Sequence, residues 1–239
     1  MCGRYSLTGP NPAQLRERFG LGDSVPLRPR FNVAPTDEVV TVTTTRDGEP
    51  RGDTLRWGLV PHWAKDASGA ARMINARSET AAEKPAFRDA FARRRCLVIA
   101  DGFYEWQRTE AGREAYWITR ADGAPFAFAG LWATWHGGPD PDAALRTCSI
   151  LTTRANATLA GVHDRMPVLL DPAAEADWLD PATPPAVLHE LCAPAPDATV
   201  SLRRVGPAVN SVRNDGPECL DPPPPAPAGA AEAPPATLF

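Results

Sequence analysis

The fold is decided by the stretch CLVIADGFYEWQR, residues 96–108. Its first part, 96–100, is continuously apolar and predicts a strand, and the Asp-Gly pair after it predicts a turn. Residues 103–108 predict a second strand, in which Glu105 shares a face with Phe103 and Gln107 while Tyr104 and Trp106 face the other way. From this point on the chain is rich in strands.

Further strands are expected on the carboxyl side, with Gly- or Asp-containing turns between them, at 115–119, 126–135, 146–153, 166–170 and 199–205. Short helices are expected near 155–160, 172–179 and 185–192. Many consecutive strands with unevenly placed helices predict an α+β fold with a largely antiparallel, barrel-like β core and peripheral short helices.

On the amino side, weak alternation over residues 3–8 predicts a strand, and Asn11-Pro12 predicts the start of a short helix that ends at Gly20. Two β-branched or alternating runs, 39–45 and 54–60, predict paired strands around Asp47-Gly48. Ser78 is a suitable cap for a helix through about Arg94, with Pro85 as an interruption.

Composition excludes several classes of protein. The chain has 239 residues, 43% hydrophobic and 23% charged, as in a soluble globular protein of one domain plus a tail. It lacks an apolar run of membrane-spanning length and a signal-peptide pattern, so a cytoplasmic location is expected, with nucleoid association if the source is bacterial. Residues 218–239 are rich in Pro and Ala and predict a disordered tail after a domain over 1–217.

Five cysteines are an odd number, widely spaced and without a CxxC pair, which argues against a disulfide framework and against a zinc site. We expect no metal and no cofactor. The net charge of −4 does not indicate a nucleic-acid binder, but 23 of the 25 basic residues are arginines, which bind phosphate through forked contacts, so a local basic groove stays open.

Cys2 directly follows the initiator methionine, and its small side chain suits removal of Met1. The processed chain would carry an α-amine and a thiol on adjacent carbons. With ordinary pKa values of about 8 and about 8.5, some amine is neutral and some thiol is ionised near pH 7. Such a 1,2-aminothiol condenses with an aldehyde to an imine and then closes to a stable thiazolidine.

Three later segments carry polar groups that could support this chemistry. Asn75 and Arg77 lie two apart before a predicted helix start, so an extended segment points them to one side. Glu105 lies among aromatic residues, where burial would raise the pKa of its carboxyl as a general acid or base requires. His163 lies in a polar turn, GVHDRMP, before an apolar strand. Each alone is also consistent with ordinary loop or edge-strand polarity.

Six motifs in order together resemble the SOS response-associated peptidase (SRAP) family of abasic-site shielding proteins. They are CGRY at 2–5, NVAP at 32–35, RWGLVPHW at 56–63, INARSET at 74–80, DGFYEW at 101–106 and HDRMP at 163–167. The resemblance extends from Cys2 to about Pro217. It implies a protein that binds single-stranded DNA at an abasic site and forms a covalent cross-link to it, without membrane association and as a monomer.

Carried over position by position, the resemblance implies a role for each matching residue. Cys2 would be the nucleophile and Asn75 would hold its amine or the opened sugar. Glu105 would move protons during imine formation and ring closure, and His163 would serve sugar ring opening and reversal of the cross-link. The phosphate contacts would be Arg4, Arg77 and Arg165, and Trp63 with Pro35 would stack on or wedge between bases.

Two other functions are compatible with the same residues. A cysteine peptidase would pair Cys2 with His163 and Glu105, would need an oxyanion hole and would tolerate a blocked α-amine. The peptidase label of the family would itself refer to release of Met1, which could be self-cleavage. A non-covalent module for single-stranded DNA would use the arginines and tryptophans alone and would keep its function in Cys2→Ala.

Overall fold

The computed structural model describes residues 2–9, 11–110, 112–138 and 143–225. Its strands are β1 (Tyr5–Leu7), β2 (Arg30–Val33), β3 (Glu38–Thr44), β4 (Pro50–Trp57), β5 (Asn75–Arg77), β6 (Arg95–Ala100), β7 (Gly102–Thr109), β8 (Gly112–Arg120), β9 (Phe126–Trp135), β10 (Leu145–Arg154), β11 (Arg165–Pro167), β12 (Leu169–Leu170) and β13 (Val200–Val205). The α-helices are α1 (Pro12–Phe19), α2 (Ser78–Ala81), α3 (Arg88–Arg93), α4 (Ala157–Ala160), α5 (Glu175–Leu179) and α6 (Pro185–Glu190).

Five strands close into a barrel. Their order is β4, β3, β6, β9 and β10, and β10 returns to pair with β4. Neighbouring strands in this ring are antiparallel except β10 and β4, which are parallel. The short strand β5 also pairs in parallel with β10. The predicted α+β class with a largely antiparallel, barrel-like core is confirmed.

A second sheet has the order β13, β8, β7, β1 and β2. One hydrophobic cluster includes Tyr5 and Phe103 of this sheet together with Trp57, Phe128 and Ile150 of the barrel. Because these large side chains are almost fully buried, the second sheet and the barrel share a core. Its burial supplies most of the driving force for bringing the two sheets together.

The polar turn between β6 and β7 fixes β1, the strand that follows Cys2. Asp101 accepts hydrogen bonds from Ser6 Oγ at 2.7 Å and from the Thr8 backbone N–H at 2.6 Å. Next to it, a Cβ on Gly102 would lie 2.1 Å from Trp117 Nε1, so only glycine fits. The Asp-Gly pair is therefore required by packing against β1 as well as by the turn.

The predicted helices are confirmed in part. In α1, Asn11 Oδ1 accepts from the Ala13 N–H at 3.0 Å, and Gly20 ends the helix with φ 61°. The helix expected over 78–94 is instead two short helices, α2 and α3, with Pro85 between them. Proline has no N–H and disfavours helical backbone in the residue before it, which explains the break. Ser78 is the first residue of α2 and not its cap.

The predicted tail begins too early. Residues Pro217–Leu220 form a 3₁₀ helix and Cys219 is fully buried. The backbone N–H of Gly206 donates to the carbonyl of Asp221 at 2.7 Å. The correction follows from packing, because burial of Cys219 and this hydrogen bond hold a Pro-rich segment that its composition alone leaves without structure. The rest of the predicted tail, 226–239, lies outside the described residues.

In the described ranges, no helix has the length and apolar character needed to cross a membrane.

Candidate functional site

Cys2 lies just before β1 and is fully buried. Its Sγ donates to the carbonyl of Arg4 at 3.7 Å. Burial raises the pKa of the thiol far above its ordinary value, and the negative charge of Glu105 raises it further. This corrects the expectation of a partly ionised thiol near pH 7, since a desolvated thiolate beside a carboxylate is unfavourable. A base would have to take the thiol proton before Cys2 could act as a nucleophile.

Asn75 reaches Cys2 from the barrel side. It begins β5, which is held beside β10 by the pairing of Asn75 with Ile150. Asn75 Nδ2 donates to the Cys2 carbonyl at 2.7 Å. Its buried Oδ1 has no hydrogen-bond partner among the described residues. The amide thus fixes the Cys2 backbone with one end and keeps an acceptor for a ligand at the other.

Glu105 lies on β7 with 3% of its surface exposed. The strand alternates as predicted: Phe103 packs into the core shared with the barrel, while Tyr104 and Trp106 belong to a different cluster. Burial raises the pKa of the Glu105 carboxyl, and the charge of His163 opposes this shift. The raised pKa of the Glu105 carboxyl lies closer to neutral pH, where the group can both accept and donate a proton.

His163 lies between α4 and β11 and is half-buried. The backbone N–H of Arg165 donates to His163 Nδ1 at 2.9 Å, and an oxygen of Asp164 lies 2.8 Å from the same nitrogen. These contacts hold the ring through Nδ1. An imidazole nitrogen can exchange a proton with a ligand, which makes His163 a candidate acid or base.

Arg165 and Arg77 are placed differently although both were predicted as phosphate contacts. The Arg165 guanidinium donates two hydrogen bonds to the Glu79 carboxylate, at 2.6 and 2.9 Å, and another to the Thr152 carbonyl at 2.6 Å. Only 13% of the Arg165 side chain is exposed. Arg77 ends β5 and is exposed. Arg77 is accessible to a phosphate as it stands, whereas Arg165 would have to exchange Glu79 for one.

Arg4 borders a groove of about 890 Å³ that starts at Gly3, beside Cys2. Pro35, Trp106 and Arg113 also line the groove. Arg4 Nη1 donates to Asn32 Oδ1 and to the Val209 carbonyl, both at 3.0 Å. The groove is large enough for a nucleotide, and it places the Arg4 guanidinium and the Trp106 indole along one surface that begins at Gly3.

The turn that presents Pro35 is strained. Thr36 has φ 77°, which is rare for a β-branched residue. Its N–H donates to the Trp57 carbonyl at 2.8 Å, and the N–H of Trp57 donates to the Asp37 carbonyl at 2.8 Å. These bonds hold the strained conformation and keep Pro35 at the groove.

The two tryptophans of the motif at 56–63 have different environments. Trp57 is fully buried, and its Nε1 donates to the Ile74 carbonyl at 2.9 Å. Trp63 has 56% of its surface exposed, the highest value with Val212 among the large apolar side chains that the structure describes. Trp63 alone of the two is accessible for stacking on a base.

Asn32 and Asp215 do not line the groove but support Arg4, which does, and neither was predicted as a site residue. Asn32 is 1% exposed and contacts Arg4 directly. Asp215 accepts hydrogen bonds from the backbone of Phe31 and Asn32, at 2.7 and 2.8 Å. The signal available in the sequence was the asparagine of the motif at 32–35 and the Asn214-Asp215-Gly216 run, but only the fold shows that they meet.

The site as a whole combines a thiol, a carboxyl with a raised pKa and an imidazole, and the residue after Cys2, Gly3, lines the groove. Glu105 raises the pKa of Cys2, and His163 lowers that of Glu105. Two hydrogen bonds of β7 bring the three segments together, since the N–H of Tyr104 donates to the Arg4 carbonyl at 3.0 Å and Gln107 Nε2 donates to the Gly161 carbonyl at 2.9 Å. The arrangement can deliver and remove protons around a nucleophile at the second residue of the chain. Within the described residues there is no group of three or more His, Cys, Asp or Glu side chains that could hold a metal ion.

Comparison with known proteins gives a consistent result. A family model described as SOS response associated peptidase (SRAP) matches residues 1–212. The abasic site processing protein YoqW of Bacillus subtilis (strain 168) is 37% identical over 229 residues, which cover 92% of this chain and 99% of YoqW. The abasic site processing protein YedK of Escherichia coli (strain K12) is 30% identical over 235 residues, covering 93% of this chain and all of YedK.

Solved structures share the fold. A protein from Bacteroides thetaiotaomicron superposes with a TM-score of 0.83 at 24% identity, covering 92% of this chain and 99% of that protein. A phage-related protein from Bordetella bronchiseptica superposes with a TM-score of 0.66 at 32% identity, covering 85% of this chain and 94% of that protein.

Proposed function

The chain belongs to the SOS response-associated peptidase (SRAP) family, and from this premise we propose that it processes abasic sites in single-stranded DNA by a covalent cross-link through Cys2. The observation that carries the proposal is the burial of Cys2 beside Glu105, with its carbonyl held by Asn75 at 2.7 Å. Relatives with 37% and 30% identity over nearly the whole chain are named abasic site processing proteins.

The first step exposes the aldehyde. An abasic deoxyribose is mostly a closed hemiacetal, so its C1′–O4′ bond must break while the 1′-hydroxyl loses a proton and O4′ gains one. His163 is suited to this transfer because an imidazole can accept and donate protons, and the Arg165 N–H holds its ring through Nδ1. The unpartnered Oδ1 of Asn75 is a suitable acceptor for the sugar or the Cys2 amine.

The second step forms the imine. Removal of Met1 leaves the α-amine on Cys2, and its nitrogen attacks the aldehyde carbon. The carbonyl oxygen leaves as water after it has been protonated. Glu105 can supply this proton because burial raises the pKa of its carboxyl.

The third step closes the ring. A C–S bond forms between Cys2 Sγ and the imine carbon, and the thiol proton moves through Glu105 to the imine nitrogen. This transfer is needed because the thiol is protonated in its buried position. An open imine permits β-elimination of the 3′ phosphate and strand cleavage, and the thiazolidine prevents this. No oxidant or reductant is required.

The DNA on either side of the abasic residue would bind the predicted contacts. Arg77 and Trp63 are exposed on the barrel side, and Arg4 and Pro35 line the groove that starts at Gly3. Arg165 would contact a phosphate after its guanidinium releases the Glu79 carboxylate. We propose that the protein acts as a monomer on this substrate.

The same geometry disfavours a cysteine peptidase as the main activity. Such an enzyme needs a thiolate, usually formed beside a histidine or a helix N-terminus. Here burial and the negative charge of Glu105 both raise the pKa of the thiol. Peptide cleavage in this proposal is limited to the release of Met1.

The test is mass spectrometry of the purified protein, alone and after mixing with an oligonucleotide that contains one abasic site. We expect loss of Met1 and a heat-stable adduct of protein plus oligonucleotide. Cys2→Ala should give no heat-stable adduct, because it retains an α-amine but cannot close the ring; its transient imine should nick the strand. A full yield of heat-stable adduct from Cys2→Ala would contradict the thiazolidine.

A further inference from the structure

The segment 207–215, which follows β13, forms one wall of the groove beside Cys2. It begins with the 3₁₀ helix Pro207–Asn210, and both Asn210 and Val212 line the groove. Val212 has 56% of its surface exposed. We call this segment, residues 207–215, the clasp. It is held by Arg4, just before β1, and by side chains of β2 and β7, all distant from it in sequence.

Asn32 ties the clasp to Arg4. Its Nδ2 faces three clasp carbonyls, those of Val209 at 3.2 Å, Ser211 at 3.0 Å and Asn214 at 2.8 Å. Its Oδ1 accepts from Arg4 Nη1, which also donates to the Val209 carbonyl. One buried amide therefore sets the position of the clasp and of the Arg4 guanidinium together. Since Asn32 is 1% exposed, water cannot replace these bonds without opening the structure.

Asp215 closes the clasp at its carboxyl end. Its Oδ1 accepts from the backbone N–H groups of Phe31 and Asn32, and its Oδ2 pairs with Arg30 Nε. Arg30 also pairs with Asp37 at 2.5 Å, and Asp37 itself lines the groove. The carboxylate thus fixes the backbone of β2 from which Asn32 extends.

The clasp also orients an aromatic side chain. Trp106 Nε1 donates to Asn210 Oδ1 at 2.8 Å, and Trp106 lines the groove. Arg4 lies just before β1 and Trp106 lies on β7, and both are bonded to the clasp. A cation and an indole held together in this way suit the phosphate and the base of one nucleotide.

We propose that the clasp holds Arg4 and Trp106 in the positions that bind the DNA flanking the abasic residue, and that Asn32 and Asp215 are its positioning residues. This inference rests on the proposed function, because the ligand is the same single-stranded DNA. Neither positioning residue takes part in the chemistry at Cys2. Their loss should weaken DNA binding and leave the rate of cross-linking on saturating DNA unchanged.

Asp215→Ala gives a test in which the sign of the effect is decisive. Removing an anion beside a DNA groove tightens binding if only its charge matters. Loss of the clasp instead frees Arg4, so we expect Kd for an abasic oligonucleotide to rise about tenfold and the salt dependence to become shallower by about one counterion. Asp215→Asn keeps an acceptor for the two backbone N–H groups and should bind as tightly as wild type or more tightly.

Glu175→Ala is the matched control. Glu175 is 6% exposed and pairs with Arg18 at 2.7 Å, and neither of them lines the groove. This variant also removes a buried carboxylate from an ion pair, so it should lower Tm and leave Kd unchanged. Equal weakening of binding by Glu175→Ala and Asp215→Ala would overturn the proposal, because the effect would then be general destabilisation. The proposal would also be overturned if folded Asp215→Ala bound the abasic oligonucleotide with a Kd equal to or lower than that of wild type.

Asn210→Ala carries the test if Asp215→Ala does not fold. Asn210 is exposed, so the variant keeps the core and removes only the acceptor of the Trp106 indole. We expect Kd to rise about threefold, as for loss of one neutral hydrogen bond. An unchanged Kd would overturn the clasp. Failure of the proposed function would look different, since the wild-type protein itself would then give no adduct.

Discussion

At the scale of single residues, the chemistry of the Glu105 carboxyl depends on its surroundings, because burial raises its pKa. Glu105→Gln keeps the shape of the side chain and removes its ability to transfer a proton. We expect cross-linking at saturating abasic DNA to slow by ~10²-fold or more, the usual scale for the loss of a general acid–base. Single-turnover adduct formation measures this. A rate within threefold of wild type would assign the proton transfer to another group.

The same substitution has a predicted effect on stability. The folded pKa of Glu105 lies above its ordinary value of 4.5, so the folded state binds its proton more tightly than the unfolded state. The wild-type protein therefore loses stability from Glu105 as pH rises from about 4.5 through the folded pKa, and Gln does not titrate. Thermal unfolding should give Glu105→Gln a Tm advantage that grows with pH across this window and is absent below it. A pH-independent difference in Tm would contradict the raised pKa.

His163 is expected to control reversal more than formation. Reopening the thiazolidine needs a proton delivered to the departing group, and the imidazole of His163, held through Nδ1, can deliver one. His163→Ala should therefore slow the exchange of an adduct onto competitor DNA more than it slows adduct formation. Both rates are measured on the same protein, with Glu105→Gln for comparison. Equal loss of both rates in both variants would show that the roles are not divided.

At the scale of elements, β10 positions the two strands that carry Arg77 and Arg165, the proposed phosphate contacts. β5 pairs with β10 in parallel, which places Arg77 opposite Thr152. β11 pairs with β10 in antiparallel orientation, which places Arg165 opposite Arg154. The environments of the two guanidinium groups differ because of Glu79. Glu79, from the first turn of α2, pairs with Arg165 and leaves Arg77 exposed.

Glu79→Gln tests whether Arg165 contacts phosphate. The carboxylate competes with a phosphate for the guanidinium, so its removal should lower Kd for single-stranded DNA and steepen the salt dependence by about one counterion. Arg77→Ala should do the opposite on both measures, without a change in the cross-linking rate of bound DNA. If Glu79→Gln binds DNA with wild-type Kd and salt slope, Arg165 is a structural link between β10, β11 and α2.

At the scale of the whole molecule, the site lies where the second sheet meets the barrel. Cys2 and Glu105 come from the sheet, and Asn75 and Arg165 from strands attached to β10. The carboxyl end of the described chain completes the assembly, because Cys219 is buried and Arg203 Nη1 donates to the Leu220 carbonyl at 2.9 Å.

Truncation tests the boundary of the folded part. A chain ending at residue 225 keeps every described contact and should keep the wild-type Tm. A chain ending at residue 216 loses the buried Cys219 and the Gly206–Asp221 hydrogen bond, which we expect to cost about 2 kcal/mol. For a protein of this size that corresponds to a fall in Tm of roughly 4–8 °C. Equal Tm values for the two chains would place the boundary at 217.

Much of the fold follows from local pattern. The caps of α1, the alternation across Glu105 and the strand at Phe126–Trp135 were all predicted, because they depend on neighbours in sequence. Pro85 was predicted as an interruption within one helix over 78–94, and the structure has two separate helices there. The sequence does not distinguish the two, because the free-energy cost of a proline depends on whether other contacts hold the turn around it. The strand expected over 166–170 is two strands, because Val168 leaves the ladder to bond Leu151.

The sequence by itself determined the position of the proposed nucleophile, Cys2, the family through six ordered motifs, and the α+β class. Only the tertiary structure decided the ionisation of that nucleophile and the partners of the arginines. Burial is a property of the packed core, and it turned an ordinary thiol into one that needs a base. Likewise, Arg165 met Glu79 and Arg4 met Asn32 through contacts between residues 86 and 28 positions apart in the chain. Electrostatic and hydrogen-bond partners are set by distance in space, which periodicity and composition along the chain do not specify.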